Sequence, residues 1–248
     1  MGIGAATFRE LAELGARIAT PGAPVMLGRQ RCRLKHPHRR HYRRALERAG
    51  HEAVPLKTIF DTSGYAEKPL EFLGFGKVET MDFSDYEGAQ HLADLSKPLD
   101  PKYRGRFDFV LDGGTLEHVF DIPQAFRNIF DMLAPGGTFV SVNGFTGWPG
   151  HGFYQLQPDL VWGFWKHMAH CEVVRCIALP NDPDVAPFDL PDNKGSAARR
   201  EYDKVVPKGR VSIYCEIRKT ADSRLAGDVL QADYETKWQN AQDEETDA

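Results

Sequence analysis

The sequence has few cysteines, and their spacing forms no recognisable pattern. Its 248 residues include four, Cys32, Cys171, Cys176 and Cys215, and none of them belongs to a C-x-x-C pair. This spacing predicts neither a disulfide framework nor a structural zinc site. Four reduced thiols are typical of a cytoplasmic enzyme, and the cytoplasm is the location that we expect.

Long apolar runs and excess positive charge are also missing. No run approaches the roughly 20 apolar residues that a membrane helix needs, and Arg9, Glu10 and Glu13 interrupt any signal-peptide core. The net charge of -4 gives no general attraction to nucleic acid, and no nucleic-acid-binding module is recognisable. We therefore expect a small-molecule substrate and no membrane partner, while the oligomeric state is not predicted.

The clearest pattern that is present covers residues 106–142. An apolar run at 107–111 suits a buried parallel strand, and Asp112-Gly113-Gly114 then allows a tight turn. Asp121 is expected to cap a helix, with Gln124 as its capping-box partner. A second glycine turn and another strand follow. This succession predicts half of a doubly wound α/β sheet.

Further elements surround this stretch. Thr7 and Glu10 form a capping box that predicts a first helix. We expect one domain over 1–219 with two insertions, and an acidic tail after it. The other expected features are strands at 23–27, 77–81, 91–95, 171–179 and 210–218, helices at 38–49 and 158–168, a basic insertion at 29–76, a proline-rich, lid-like insertion at 180–208, and the tail at 220–248.

The segments FDFVLDGGTLEHV and MLAPGG resemble the fourth and fifth strand regions of class I S-adenosylmethionine-dependent methyltransferases. The family shows FD-x-V, then L-E-H, then L-x-P-G-G. The matching residues here are Phe107-Asp108, Val110, Leu116-Glu117-His118 and Leu133-Ala134-Pro135-Gly136-Gly137. The resemblance implies a Rossmann-like doubly wound seven-stranded sheet with an antiparallel last strand, the cofactor S-adenosylmethionine, and methyl transfer.

The resemblance also assigns cofactor contacts to the ends of the strands. Asp82 is expected to accept hydrogen bonds from the ribose hydroxyls, with Phe83 next to it. Asp94 corresponds to an acid near the adenine amino group, and Leu95 would lie beside the ring. Asp112-Gly113-Gly114 would line the same site.

The loop after the first strand departs from the family pattern. Instead of a motif close to D-x-G-x-G-x-G, the sequence has Gly28-Arg29-Gln30, with one glycine. Arg29 or Gln30 would then help Gly28 to hold the methionine end of the cofactor. The departure leaves open a non-catalytic binding or scaffold protein with this fold. A nicotinamide dehydrogenase is disfavoured, because the G-x-G-x-x-G fingerprint is absent as well.

Residues 143–160 are rich in glycine and aromatic side chains, and should border the acceptor pocket because they follow a strand end. His118, His151 and Tyr154 are our candidates for acid/base or orienting roles, since histidine suits proton transfer at neutral pH. Glu117 could orient a histidine or hold an amine substrate.

The motifs 27–30, 112–120 and 150–155 resemble a branch of this superfamily associated with surface-polysaccharide and glycolipid gene clusters. This resemblance favours O-methylation of a sugar or a related polar metabolite.

Residues 29–48 hold nine Lys or Arg residues, three histidines and one acid. The pattern fits a solvated cationic helix face or an anion site, which leaves open an anionic acceptor or a polyanionic substrate. His36, His38 and His41 have no carboxylates or cysteines at ligand spacing, so no metal site is expected.

Overall fold

The computed structural model describes residues 2–51, 53–192, 202, 204, 206–231, 234–238 and 240–241. Within them, eight strands form one mixed sheet. The strands are β1 (Pro24–Leu27), β2 (Glu79–Asp82), β3 (His91–Leu92), β4 (Phe107–Asp112), β5 (Leu133–Thr146), β6 (Glu172–Pro180), β7 (Phe188–Asp189) and β8 (Val211–Arg218).

The strand order is β3-β2-β1-β4-β5-β8-β6-β7. Strands β1 to β5 pair in parallel, and β8 lies antiparallel between β5 and β6. The predicted doubly wound α/β fold with an antiparallel last strand is confirmed. The two-residue strand β7, which pairs with β6 at one edge, is an addition to the seven strands that we expected.

Helices cover both faces of this sheet. They are α1 (Ala5–Gly15), α2 (Arg39–Arg48), α3 (Leu56–Ile59), α4 (Glu67–Leu70), α5 (Ile122–Met132) and α6 (Pro158–Val161), which continues as a π-helical segment, Trp162–Met168. Among the described residues, no helix is both long and apolar enough to cross a membrane.

Two apolar cores form because side chains of a strand alternate between the faces of the sheet. Val25, Leu27 and Val110 pack on the face that carries α5. Met26 and Phe109 pack on the opposite face, with α1 and α2. The short strands are buried on both faces, which explains their almost uninterrupted apolar sequences.

The two capping boxes predicted from the sequence, at Thr7 and Asp121, have different outcomes. Asp121 caps α5 as expected, since its Oδ1 accepts a hydrogen bond from the Gln124 amide at 3.1 Å. The Gln124 side chain donates instead to Asn128, at 2.9 Å, so the reciprocal half of the box does not form. The start predicted at Thr7 is wrong, because α1 begins at Ala5. Ile3 donates to the Arg31 carbonyl at 2.8 Å, which fixes the chain just ahead of the helix.

The basic insertion folds back beside the end of β1. Ala66 donates to the Gln30 carbonyl and Cys32 donates to the Gly64 carbonyl, each at 2.9 Å. Residues 193–201, 203 and 205 of the insertion at 180–208 lie outside the described part of the chain, as do 232–233, 239 and 242–248 of the tail. The start of the tail contacts the π-helical segment, where Ala226 donates to Met168 at 2.9 Å.

A buried carboxylate fixes the carboxyl end of β4. Asp112 is fully buried, and its Oδ1 accepts from the Thr115 amide at 2.7 Å. Its Oδ2 accepts from the Ser141 hydroxyl at 2.8 Å and from the side-chain amide of Asn143 at 2.5 Å. Burial raises the pKa of this carboxyl, while the hydrogen bonds from Thr115, Asn143 and Ser141 oppose that shift. Asp112 therefore joins β4, the following turn and β5.

We expect Asp112→Ala to lower the free energy of unfolding by about 3 kcal/mol or more, because it leaves several buried donors without an acceptor. Denaturant unfolding measures this loss. The control is Asp100→Ala, which removes an exposed cap that accepts from the Lys102 amide. Equal losses in the two variants would contradict the importance that we give to the buried network.

Candidate active site

The turns that follow β1 and β4 meet where the strand order reverses, the place where ligands bind in doubly wound sheets. The Thr115 hydroxyl donates to the Leu27 carbonyl at 2.7 Å, and the side-chain amide of Gln30 donates to the same carbonyl at 2.8 Å. Gly28 has a φ of +63°, and a Cβ there would lie 2.7 Å from Thr115 Oγ1. Glycine is therefore required at this close approach.

The Gln30 side chain holds the loop after β1, which contains a single glycine. This side chain is buried and also donates to Thr115 Oγ1 at 3.1 Å. A Cβ on Gly113 would lie 2.7 Å from Gln30 Cδ. The Gln30 side-chain amide thus stabilises the turn from inside.

The end of β2 fits a nucleoside cofactor. Asp82 Oδ1 accepts from the Phe83 amide at 2.6 Å, while Oδ2 lies 3.9 Å from the Cβ position of Gly28 and so faces the crevice. The Phe83 side chain is 75% exposed beside it. A carboxylate oxygen next to an uncovered aromatic ring matches the polar and flat parts of such a ligand.

Like Gln30, three other predicted cofactor side chains are engaged with protein groups. Asp94 binds the Ser96 amide at 3.0 Å and the Lys97 ammonium at 2.9 Å. Arg29 turns toward the insertion, where it pairs with Glu67 at 2.6 Å and lies 4.0 Å from the Tyr65 ring centre. The Asp112 carboxylate lies beneath the surface and holds its turn. In this structure these three side chains therefore have structural roles, and their contact with a cofactor stays a prediction.

Leu95 belongs to the apolar core next to α5. The predicted cofactor residues that remain around the crevice are Gly28, Gln30, Asp82, Phe83, Gly113 and Gly114.

A second group of polar side chains is centred on Glu117, in the single helical turn Leu116–His118. Its side chain is 1% exposed. Its amide donates to Asn143 Oδ1 at 3.1 Å, and its Oε2 accepts from the Gly144 amide at 2.6 Å. The other oxygen, Oε1, is buried and has no hydrogen-bond partner among the described residues.

The loop after β5 brings His151 to this carboxylate. Phe153 and Tyr154 donate their amides to the Glu117 carbonyl at 2.8 and 3.2 Å. A Cβ on Gly152 would lie 2.7 Å from that carbonyl oxygen, so only glycine fits there. As a result, Nε2 of His151 lies 3.2 Å from Glu117 Oε1.

His118 completes the cluster. Its Nε2 lies 3.7 Å from Glu117 Oε1, and the rings of His118 and His151 are 5.3 Å apart. Burial raises the pKa of the Glu117 carboxyl and lowers the pKa of both imidazoles. Both histidines are therefore favoured in the neutral form, in which a ring nitrogen offers a lone pair to a proton or an ion.

Tyr154 lies next to this cluster, but its hydroxyl donates to the Phe120 carbonyl at 2.7 Å. The tyrosine therefore holds two segments together instead of presenting a free hydroxyl. Phe120 and Phe153 are 73% and 65% exposed, with ring centres 5.7 Å apart. Two exposed aromatic rings thus border the polar cluster.

The sequence analysis missed the residues that support the cluster. Asn143 is completely buried and binds both Asp112 and Glu117. Trp148 packs 5.0 Å from the His151 ring and donates to the Val211 carbonyl at 3.0 Å. The available signal for Asn143 was an amide residue two positions after Ser141 within the apolar run of β5.

The basic insertion is partly neutralised by acids. Arg31 pairs with Glu87 at 3.2 Å, and Arg40 pairs with Asp184 at 2.7 Å. The rings of His38 and His41 are 6.0 Å apart. An anion site on this segment stays a prediction.

Residues 76–141 match the model of a family described as a methyltransferase domain. A comparison with proteins of curated function finds no match to the sequence.

Several solved structures have a similar fold. One is the complex of the Haloferax volcanii Trm112 methyltransferase activator with a candidate methyltransferase (14% identity, TM-score 0.48, covering 83% of this chain and 86% of that one). Another is the N-methyltransferase NodS of Bradyrhizobium japonicum with S-adenosyl-L-homocysteine (10% identity, TM-score 0.42, 86% and 85% covered). A third is the 1,6-didemethyltoxoflavin-N1-methyltransferase of Burkholderia thailandensis (18% identity, TM-score 0.38, 86% and 78% covered).

Gly152→Ala should lower the free energy of unfolding by about 1–3 kcal/mol, because the added methyl group meets the Glu117 carbonyl oxygen. The control is Gly22→Ala, whose Cβ would make an ordinary contact of 3.4 Å with Asp108 and should change stability by about 0.5 kcal/mol or less. Denaturant unfolding compares the two, and equal stability of both variants would show that the loop is not held as we describe.

Proposed function

Residues 76–141 match the model of a methyltransferase domain, and we propose that this chain uses S-adenosylmethionine to methylate an oxygen of a small polar metabolite, most favourably a sugar. The observation that carries the proposal is the cluster of Glu117, His118 and His151 beside the exposed rings of Phe120 and Phe153. It lies in loops that follow β4 and β5, on the same sheet edge as Asp82.

The cofactor half of the site is the crevice between the ends of β1, β2 and β4. Asp82 Oδ2 would accept hydrogen bonds from ribose hydroxyls, and Phe83 would cover the purine. Gly28 and Gly113 allow the turns after β1 and β4 to pack against Thr115 and Gln30 at the edge of this crevice. These assignments use the carboxylate oxygen and the ring that the protein itself leaves uncovered.

When bound, S-adenosylmethionine supplies its methyl group to the acceptor oxygen, which bonds to the methyl carbon while the carbon–sulfur bond breaks and the sulfur leaves with that electron pair as S-adenosylhomocysteine. The protein then has two tasks. It must orient the acceptor in line with the donor, and it must provide a place for the hydroxyl proton. His118 and His151 are the groups at which that proton would leave, and Tyr154 holds their loop in place.

The pairing of aromatic rings with a polar cluster supports a sugar acceptor. One face of a sugar ring is lined by C–H groups, which can cover Phe120 and Phe153, while its hydroxyls reach the imidazoles. Exposed aromatic patches next to polar groups commonly mark ligand sites. This chemistry agrees with the resemblance of residues 150–155 to a surface-polysaccharide and glycolipid branch.

Calorimetry with S-adenosylhomocysteine tests the cofactor half. Asp82→Ala should weaken binding about 10- to 100-fold, as expected for lost hydrogen bonds to a charged group. Asp85→Ala, which removes an exposed carboxylate from the same loop, is the matched control and should leave affinity unchanged. If the wild-type protein bound no S-adenosylhomocysteine, the cofactor assignment would be wrong.

Turnover of a panel of hydroxylated sugars tests the acceptor half. His118→Ala and His151→Ala should lower kcat about 10²- to 10⁴-fold, the usual contribution of proton transfer, with affinity for S-adenosylhomocysteine preserved. His167→Ala, at a surface pair with Asp192, serves as the control. Unchanged kcat in both site variants would exclude the proposed role, and cofactor binding without turnover of any acceptor would favour the scaffold alternative.

A further inference from the structure

We propose that Glu117, His118 and His151 bind a divalent first-row transition-metal ion. Each residue offers one ligand atom, and the three atoms lie within 4.8 Å of one another. Ligands of zinc-like ions lie about 2.0–2.2 Å from the metal, which places them roughly 3–3.5 Å apart. The separations here are 3.2 Å for Glu117 to His151 and 3.7 Å for Glu117 to His118.

Two unpartnered atoms point independently to a ligand. Glu117 Oε1 and His151 Nε2 are both buried, and neither has a hydrogen-bond partner among the described residues. They are 3.2 Å apart, which is the distance of an ion pair if His151 is protonated, but their geometry is not that of a hydrogen bond. A buried acceptor without a donor costs free energy, and a cation between the two would satisfy both lone pairs.

The carboxylate is held in the orientation that this requires. Its Oε2 accepts from the Gly144 amide at 2.6 Å, which leaves Oε1 for the ion. A Cβ on Gly144 would lie 3.0 Å from Oε2, so the contact depends on glycine. Groups that hydrogen-bond to a metal ligand and fix its orientation are typical of metal sites.

The donor set and its exposure define the kind of site. Two imidazoles and one carboxylate favour zinc, iron and similar ions over magnesium or calcium, which prefer oxygen ligands. The side chains of His118 and His151 are 45% and 31% exposed, against 1% for Glu117. The ion would therefore be held from the buried side and keep open positions, as catalytic metals do.

The consequence for catalysis rests on the proposed function, whereas metal binding does not. An acceptor hydroxyl at an open position would have a lower pKa, because the ion stabilises the alkoxide. Its proton would leave to solvent, and the oxygen would then attack the methyl carbon with the lone pair that it retains. With the ion bound, the imidazoles hold it and the proton leaves to solvent, whereas without the ion they are free to accept the proton as in the proposed function.

Cobalt(II) is a suitable probe, because its visible absorption reports coordination by imidazole. We expect about one cobalt ion per chain after dialysis, and competition by zinc. His118→Ala, His151→Ala and Glu117→Gln should each weaken binding at least tenfold. The matched control is a double variant, His38→Ala with His41→Ala, which removes the neighbouring histidine pair on the basic segment and should bind cobalt as the wild type does. Circular dichroism and thermal unfolding confirm that each variant is folded.

Absence of stoichiometric cobalt binding would overturn the proposal, and so would binding that persists in His151→Ala but disappears in the double variant. A separate measurement concerns catalysis. Turnover should fall at least tenfold after chelation and return with zinc or cobalt. Full turnover by the metal-free enzyme would overturn the catalytic role. Cobalt binding without S-adenosylhomocysteine binding would instead contradict the proposed function and leave the metal site intact.

Discussion

The structure of the site depends on the buried carboxylate of Asp112. Its two oxygens bind the turn after β4 on one side and the Ser141 and Asn143 side chains of β5 on the other. A carboxylate can be fully buried only where hydrogen bonds replace its water, so these donors must stay in place. The turn is thereby fixed relative to β4 and β5. Its position in turn fixes that of Glu117 and His118, which follow it.

Two contacts extend from this turn in opposite directions. Thr115 reaches the end of β1, where it and Gln30 share the Leu27 carbonyl. Two residues later, Glu117 reaches β5, where it binds Asn143 and Gly144. The crevice between the ends of β1, β2 and β4 and the cluster of Glu117, His118 and His151 therefore both depend on the short segment 112–118. Their separation is set by the geometry of a single helical turn, which suits a reaction that depends on alignment of donor and acceptor.

The cluster of Glu117, His118 and His151 contrasts with the buried network next to it. Asp112 and Asn143 have partners, whereas Glu117 Oε1 and His151 Nε2, like Arg9 Nη2 and Arg39 Nε elsewhere in the described chain, have none. Glycine at position 152 allows the histidine loop to lie close to the backbone carbonyl of Glu117. Unsatisfied buried groups reduce stability, and their presence at a partly open site is consistent with binding of a ligand that completes them. Acceptor, proton and metal ion are alternatives that differ in charge, and each predicts a different dependence on added metal.

The sequence by itself determined the sheet, the cap at Asp121 and the turn at 112–114, because apolar periodicity and glycine turns are local signals. It also named His118 and His151 as candidates, and their role in catalysis stays a prediction. It misplaced the start of α1, since contacts with the distant residue Arg31 fix that helix. Only the tertiary structure decided which polar side chains remain available. Asp94 and Arg29 found partners within the protein, while Glu117 and His151, far apart in sequence, came together without one. Spacing along the chain does not predict the contact between Glu117 and His151. That contact arises because β4 and β5 are adjacent and because Gly152 allows the loop after β5 to pack against Glu117.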